Sequence, residues 1–206
     1  RGLALYSSLF EKRLGLEFAV TNGAPDGRDA TNADFDGEQE LNARVFFEPV
    51  PGIGFGVAGS HGEKFGKNDT RAASPNNAQA FLPRYRSPAQ TTIFNYVATA
   101  TADGDHSRIT PQAYAYVGPF GVMAEYIESA QEVALGARTE EFTNEAAQIT
   151  AVWSITGEDQ GFKGIKPTRP GGAWELALRW STLQIDDSAF DLNFADPTRS
   201  VESADV

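Results

Sequence analysis

The residues able to do chemistry in this 206-residue chain are cations rather than nucleophiles. Arg44, Arg108 and Arg179 each sit where polar and apolar residues alternate, on the polar side of the alternation. Arg84 and Arg86 bracket Tyr85 in a long polar segment that Lys64 and Lys67 open. A guanidinium is a planar fork that meets the oxygens of a carboxylate or phosphate two at a time. Facing an aqueous path, such groups replace the water stripped from an anion, so the chemistry on offer is selection and not bond making. Internal pairing competes with it, because Glu17, Glu125 and Glu175 fall on the same polar sides and bring that face near charge balance. Lys64 and Lys67 are expected to be solvated, and Tyr85 to lend an aromatic wall.

Other chemistry is thinly supplied. His61 and His106 both fall in segments read as loops, there is no cysteine, and no G-x-S-x-G, H-E-x-x-H or glycine-rich phosphate cradle before a helix occurs. Neighbouring acids such as Asp186 and Asp187 read as solvated loop charges. No catalytic residue, metal ligand set or cofactor is therefore assigned. The run Asn32-Ala33-Asp34-Phe35-Asp36-Gly37 copies the first half of a calcium-binding EF-hand loop, but its twelfth position is Ala43 where a bidentate Glu is required.

The elements that must position the arginines are strands. Period-two segments recur, about eight of them in four hairpins, and no helical period is present. The pairs are Leu3–Phe10 with Leu14–Thr21, Leu41–Glu48 with Ile53–Ser60, Arg108–Val117 with Phe120–Glu128, and Ala147–Thr156 with Trp174–Ser181. Leu14, Leu16, Phe18 and Val20 share one face of their strand; Trp174, Leu176, Leu178 and Trp180 do the same in theirs. Short connections (Glu11-Lys12-Arg13, Pro49–Gly52, Gly118-Pro119) alternate with long polar ones (Asn22–Glu40, His61–Ser107, Ala130–Asn144, and the stretch from Gln184). The connection Gly157–Gly172 is longer than the other short-side turns. Alternating short turns and long loops is the pattern of a membrane barrel. Trp153, Phe120, Trp174 and Trp180 near strand ends suit a girdle at a membrane interface.

Composition agrees. The formal net charge is −11 and the pI near 4.6, which exclude a general nucleic-acid binder. No apolar run is long enough for a transmembrane helix. A mean hydropathy of −0.35 does not separate a soluble protein from a barrel in which only alternate residues meet lipid. The carboxylates fall mainly in the expected loops: Asp26, Asp29, Asp34, Asp36, Glu38 and Glu40; Glu140, Glu141 and Glu145; Asp186, Asp187 and Asp191.

Three groups of residues then carry a resemblance. They are Leu82-Pro83-Arg84-Tyr85-Arg86 leading to Phe94-Asn95-Tyr96; Ala102-Asp103-Gly104 through Arg108, Pro111-Gln112 and Tyr116 to Gly118-Pro119-Phe120-Gly121 and Glu125-Tyr126; and Thr156-Gly157-Glu158 followed by Gly172–Leu176 and Arg179. In order and spacing they resemble the phosphate-selective porin O and P family, over roughly Leu82 to Ser181. The resemblance implies an all-β, antiparallel transmembrane β-barrel with long extracellular loops, in a homotrimer in the bacterial outer membrane. One loop would fold inward to narrow an anion-selective pore. Arg86, Arg84, Arg44, Arg108 and Arg179 would line that pore and bind inorganic phosphate or a similar anion. Membrane lipid and lipopolysaccharide would be the other partners. Residues 1–206 would be one barrel domain, incomplete at both ends, with exposed edges that require a longer chain or an assembly. Two alternatives stand beside it: a general-diffusion porin without phosphate preference, and a secreted soluble β-sandwich binding module.

Overall fold

Alternation of β-branched, aromatic and small polar residues builds pleated strands whose two sides differ in polarity. The computed structural model describes residues 2–23, 37–66 and 81–206. It contains β1 (Gly2–Leu9), β2 (Leu14–Thr21), β3 (Glu40–Val50), β4 (Ile53–Phe65), β5 (Arg84–Arg86), β6 (Thr92–Tyr96), β7 (Thr101–Val117), β8 (Phe120–Leu135), β9 (Arg138–Ser154) and β10 (Glu175–Gln184). A helical turn, α1 (Ser188–Asp191), follows, then β11 (Ala195–Ser200) and β12 (Ser203–Asp205). Nine strands form one antiparallel sheet in the order β1-β2-β3-β4-β7-β8-β9-β10-β12, and β11-β6-β5 form a second. Among the described residues the main sheet is open, with β1 and β12 at its edges.

All four expected hairpins are present, with registers such as Leu5↔Phe18, Val45↔Val57, Ala115↔Val122 and Leu178↔Ala151. Three long connections differ from expectation. Ala130–Asn144 is not a loop: β8 runs to Leu135, Gly136 turns the chain at φ 67°, and β9 starts at Arg138. Its acids belong to strands, with Glu128 opposite Glu145 and Glu132 opposite Glu141. The stretch between Ser60 and Arg108 loses residues to both neighbours, since β4 continues to Phe65 and β7 begins at Thr101. The rest of that stretch contains β5 and β6, and the residues after Gln184 supply α1, β11 and β12.

The physical reason is the second sheet. It packs on the inner side of β8 and β9, so Val133 and Phe142 turn inward into one core with Phe81, Leu82, Phe94, Tyr96, Ile185 and Phe194. Phe142 and Phe194 meet edge to face at 5.0 Å, and the Gln131 side-chain amide donates to the Phe81 carbonyl at 2.9 Å. Strands extended this far have polar residues on their outer side, which imitates a loop in the sequence.

Nearer the short turns the outer side is apolar and uncovered. Leu5, Phe18, Val45, Phe55, Ile109, Phe120, Val122, Ile149, Trp153, Leu178 and Trp180 are all exposed on it. From Val117 to Ile109 this belt runs along about eight residues, roughly 26 Å of strand, the scale of a hydrocarbon layer crossed by a tilted strand. A sandwich would cover such a face with another sheet, and none lies there among the described residues.

Candidate pore-lining site

Parity places Glu17, Asn42, Arg44, Ser60, Arg108 and Thr110 on one inner surface, because Glu17 faces Arg44, Arg44 faces Ala58, and Ser60 faces Arg108 across successive strands. Arg44 and Arg108 line one recess of ≈ 380 Å³ there. Each has a carboxylate. Arg44 lies 3.6 Å from Glu17 and over the Phe46 ring at 5.2 Å. Arg108 donates through Nη2 to both oxygens of Glu40 at 2.8 Å and through Nε to Ser60 Oγ at 2.9 Å.

Two expectations are corrected here. Glu40 is not a loop acid but the buried first residue of β3, and Lys64 is not solvated: its side chain is 1% exposed, 3.5 Å from Glu40. Both continue the polar parity of their strands, Glu40 with Asn42 and Arg44, Lys64 with Ser60 and Gly62. That signal was present in the sequence once the strands were drawn long enough. The histidines are likewise on strands: His106 is buried on β7 with Nε2 3.2 Å from Ser129 Oγ, and His61 on β4 lies 3.9 Å from Asp105. Lys67 and the segment imitating half an EF-hand, up to Asp36, lie outside the described residues.

Arg84 and Arg86 are on β5, in the other sheet. Tyr85 between them packs on Phe94 at 6.0 Å, so it belongs to the core instead of an aromatic pore wall. Arg84, opposite Asn95, falls on the side of β5 away from Phe94, whereas the register shifts between Tyr85 and Arg86 and pairs exposed Arg86 with Thr92 at the strand end. Arg179 is exposed on β10, its Nε 3.4 Å from Thr150 Oγ1. The five arginines therefore divide into a pair in one recess, a pair on the second sheet, and Arg179 apart.

The short-turn end carries aromatic rings that sequence reasoning did not assign. Phe46 and Tyr114 stack at 5.8 Å, and Phe162, from the connection between β9 and β10, meets Tyr114 at 4.5 Å and Tyr116 at 5.6 Å. Phe162 left no signal because its segment has no strand period to give it a side. The segment is pinned by Glu158, a buried carboxylate that accepts from Thr156, from Ser154 at 3.0 Å and from Thr168 at 3.1 Å. The Thr156 hydroxyl, then the Glu158 backbone N–H and the Ser154 and Thr168 hydroxyls, pull its pKa down from 4.5 to about 2 against the opposing effect of burial.

No curated protein matches the chain at a significant level. The family profile of phosphate-selective porin O and P matches residues 7–199, and the chain belongs to that family of outer-membrane porins.

Proposed function

We propose that residues 1–206 form one domain of wall in a channel that passes phosphate-like anions passively, with arginines stabilising the anion as it loses water. The observation that carries this reading is the packing of β5 across the inner surface, with Tyr85 in the core, Arg84 on the opposite side and Arg86 exposed at the strand end. Arg44, Arg108 and Arg179 continue the cationic path along the main sheet. Release requires weak binding, which partial neutralisation by Glu17 and Glu40 supplies. The acids Glu128, Glu132, Glu141 and Glu145 sit on the outer face, and screening over about 8–10 Å at moderate ionic strength separates them from a path on the other side. The proposal includes a homotrimer with lipid against the apolar belt and lipopolysaccharide at its acidic rim.

A second reading is a general-diffusion porin. It is favoured by the Arg44–Glu17 pair, which leaves that arginine little net field, and by Glu40, which offsets one of the two charges of Arg108 and Lys64.

Planar-bilayer conductance in chloride with added phosphate separates the two. Phosphate block that weakens about tenfold in Arg86→Ala or Arg179→Ala, as loss of one charge-assisted contact implies, supports the selective channel. Ohmic current indifferent to phosphate establishes the general pore.

A further inference from the structure

At the short-turn end of the inner surface lies a second recess, of ≈ 230 Å³, whose chemistry differs from that of the arginines. Phe46, Tyr114 and Phe162 form its aromatic walls, and Gln112, Glu125 and Gln148 its polar floor. The three polar residues are directly opposed across β7, β8 and β9, so their side chains stand in one row on one face. Two carboxamides and a carboxylate in a row present donors and acceptors at strand spacing. Phe162 is 67% exposed even though it packs on Tyr114, so an apolar ring stands open above a polar surface.

Charge decides what fits. Among the described residues lining the recess the charged one is Glu125, which repels phosphate and other anions. The volume lies below the roughly 300–1,000 Å³ of sites for drug-sized ligands, which points to a single ring. A ring with an apolar face for the aromatic walls and hydroxyls around its edge for the amides is a sugar.

We propose that this recess is a weak binding station for one neutral pyranose, its C–H face against Phe162 and Tyr114 and its hydroxyls on Gln112, Glu125 and Gln148. This goes beyond the anion reading and uses none of its arginines; it requires only that the inner surface be wet.

The test is saturation-transfer NMR on the full chain in lipid nanodiscs, with methyl β-D-glucoside, with sorbitol as an acyclic polyol, and with inorganic phosphate as competitor. Transfer to the glucoside ring protons is expected, with none to sorbitol and no displacement by phosphate. Phe162→Ala and Gln148→Ala should each reduce it about fivefold or more, the scale of one lost aromatic or hydrogen-bond contact. Gln148 lies within β9, so its variant remains decisive if Phe162→Ala frees its segment. Equal transfer to sorbitol, displacement by phosphate, or full transfer in Gln148→Ala would overturn the proposal. Conductance block by phosphate addresses the arginines separately, so either reading can fail alone.

Discussion

Arg108 reaches from β7 across β4 to place Nη2 2.8 Å from both carboxylate oxygens of Glu40 on β3. Lys64 approaches the same carboxylate at 3.5 Å, with both side chains nearly inaccessible. One anion thus serves two cations. Glu40→Gln should cost about 3–5 kcal/mol, the penalty of leaving buried charge unpaired. Lys64→Met should cost clearly less, because Glu40 keeps Arg108. Urea unfolding followed by tryptophan fluorescence measures both, and equal losses would mean the carboxylate is not shared in this way.

Glu17 and Arg44 are paired at 3.6 Å with side chains 44% and 38% exposed. A pair this open contributes about 0–1 kcal/mol to stability, so Glu17→Gln should unfold almost as the parent does. Its effect belongs in permeation: the inner surface gains one net positive charge, and the anion-to-cation permeability ratio should rise. The rise should shrink at 1 M salt, where the screening length falls to about 3 Å. Reversal potentials in asymmetric salt give the ratio at both concentrations.

The depressed pKa of Glu158 makes the segment it pins sensitive to acid. A carboxyl whose folded-state pKa lies below its unfolded value stabilises fully above about 4.5 and loses that contribution as pH falls toward about 2. Pepsin works throughout that window. Cleavage near Phe162 should accelerate as pH drops from 4.5 to 2, relative to cleavage elsewhere, and Glu158→Gln should already be cut rapidly at pH 4.5. A Gln variant as resistant as the parent would show that the hydroxyls do not need the charge.

The hairpins were legible because Leu14, Leu16, Phe18 and Val20, or Trp174, Leu176, Leu178 and Trp180, make one side of each segment apolar and leave the other polar, and that asymmetry is written as strict alternation. The extensions were not. Above the apolar belt Glu128, Glu132, Glu141 and Glu145 replace apolar residues on the outer face, so alternation persists only in the inward Val133, Phe142 and Asn144, which resemble isolated residues of a loop. Tyr85 was misplaced for a related reason: its side depends on a sheet assembled from β5, β6 and β11, whose pairing spans about a hundred residues of chain. Arg84 and Arg86 were found by type, and their distance from Arg44 and Arg108 was set by packing that local pattern does not encode.

Gly54 on β4 lies beneath the rings of Phe46 and Tyr114, and a Cβ there would stand 2.6 Å from Tyr114 Cε1 and 2.7 Å from Phe46 Cζ. Aromatic rings folded over a glycine in a neighbouring strand fill the space its missing side chain leaves. Gly54→Val must push one ring away, and the displaced ring either enters the aromatic recess or loses its stacking partner. Overpacking of this kind costs about 1–3 kcal/mol. Gly15→Ala is the natural comparison, since a Cβ at Gly15 meets only the Phe46 carbonyl oxygen, at 3.9 Å. A strand glycine with free space should tolerate alanine within about 0.5 kcal/mol, because the new side chain reduces the entropy of the unfolded chain without a clash. Urea midpoints should therefore fall for Gly54→Val and stay put for Gly15→Ala, with glucoside transfer lost in the first and kept in the second. Matching midpoints in the two variants would show that the Phe46 and Tyr114 rings do not rest on Gly54.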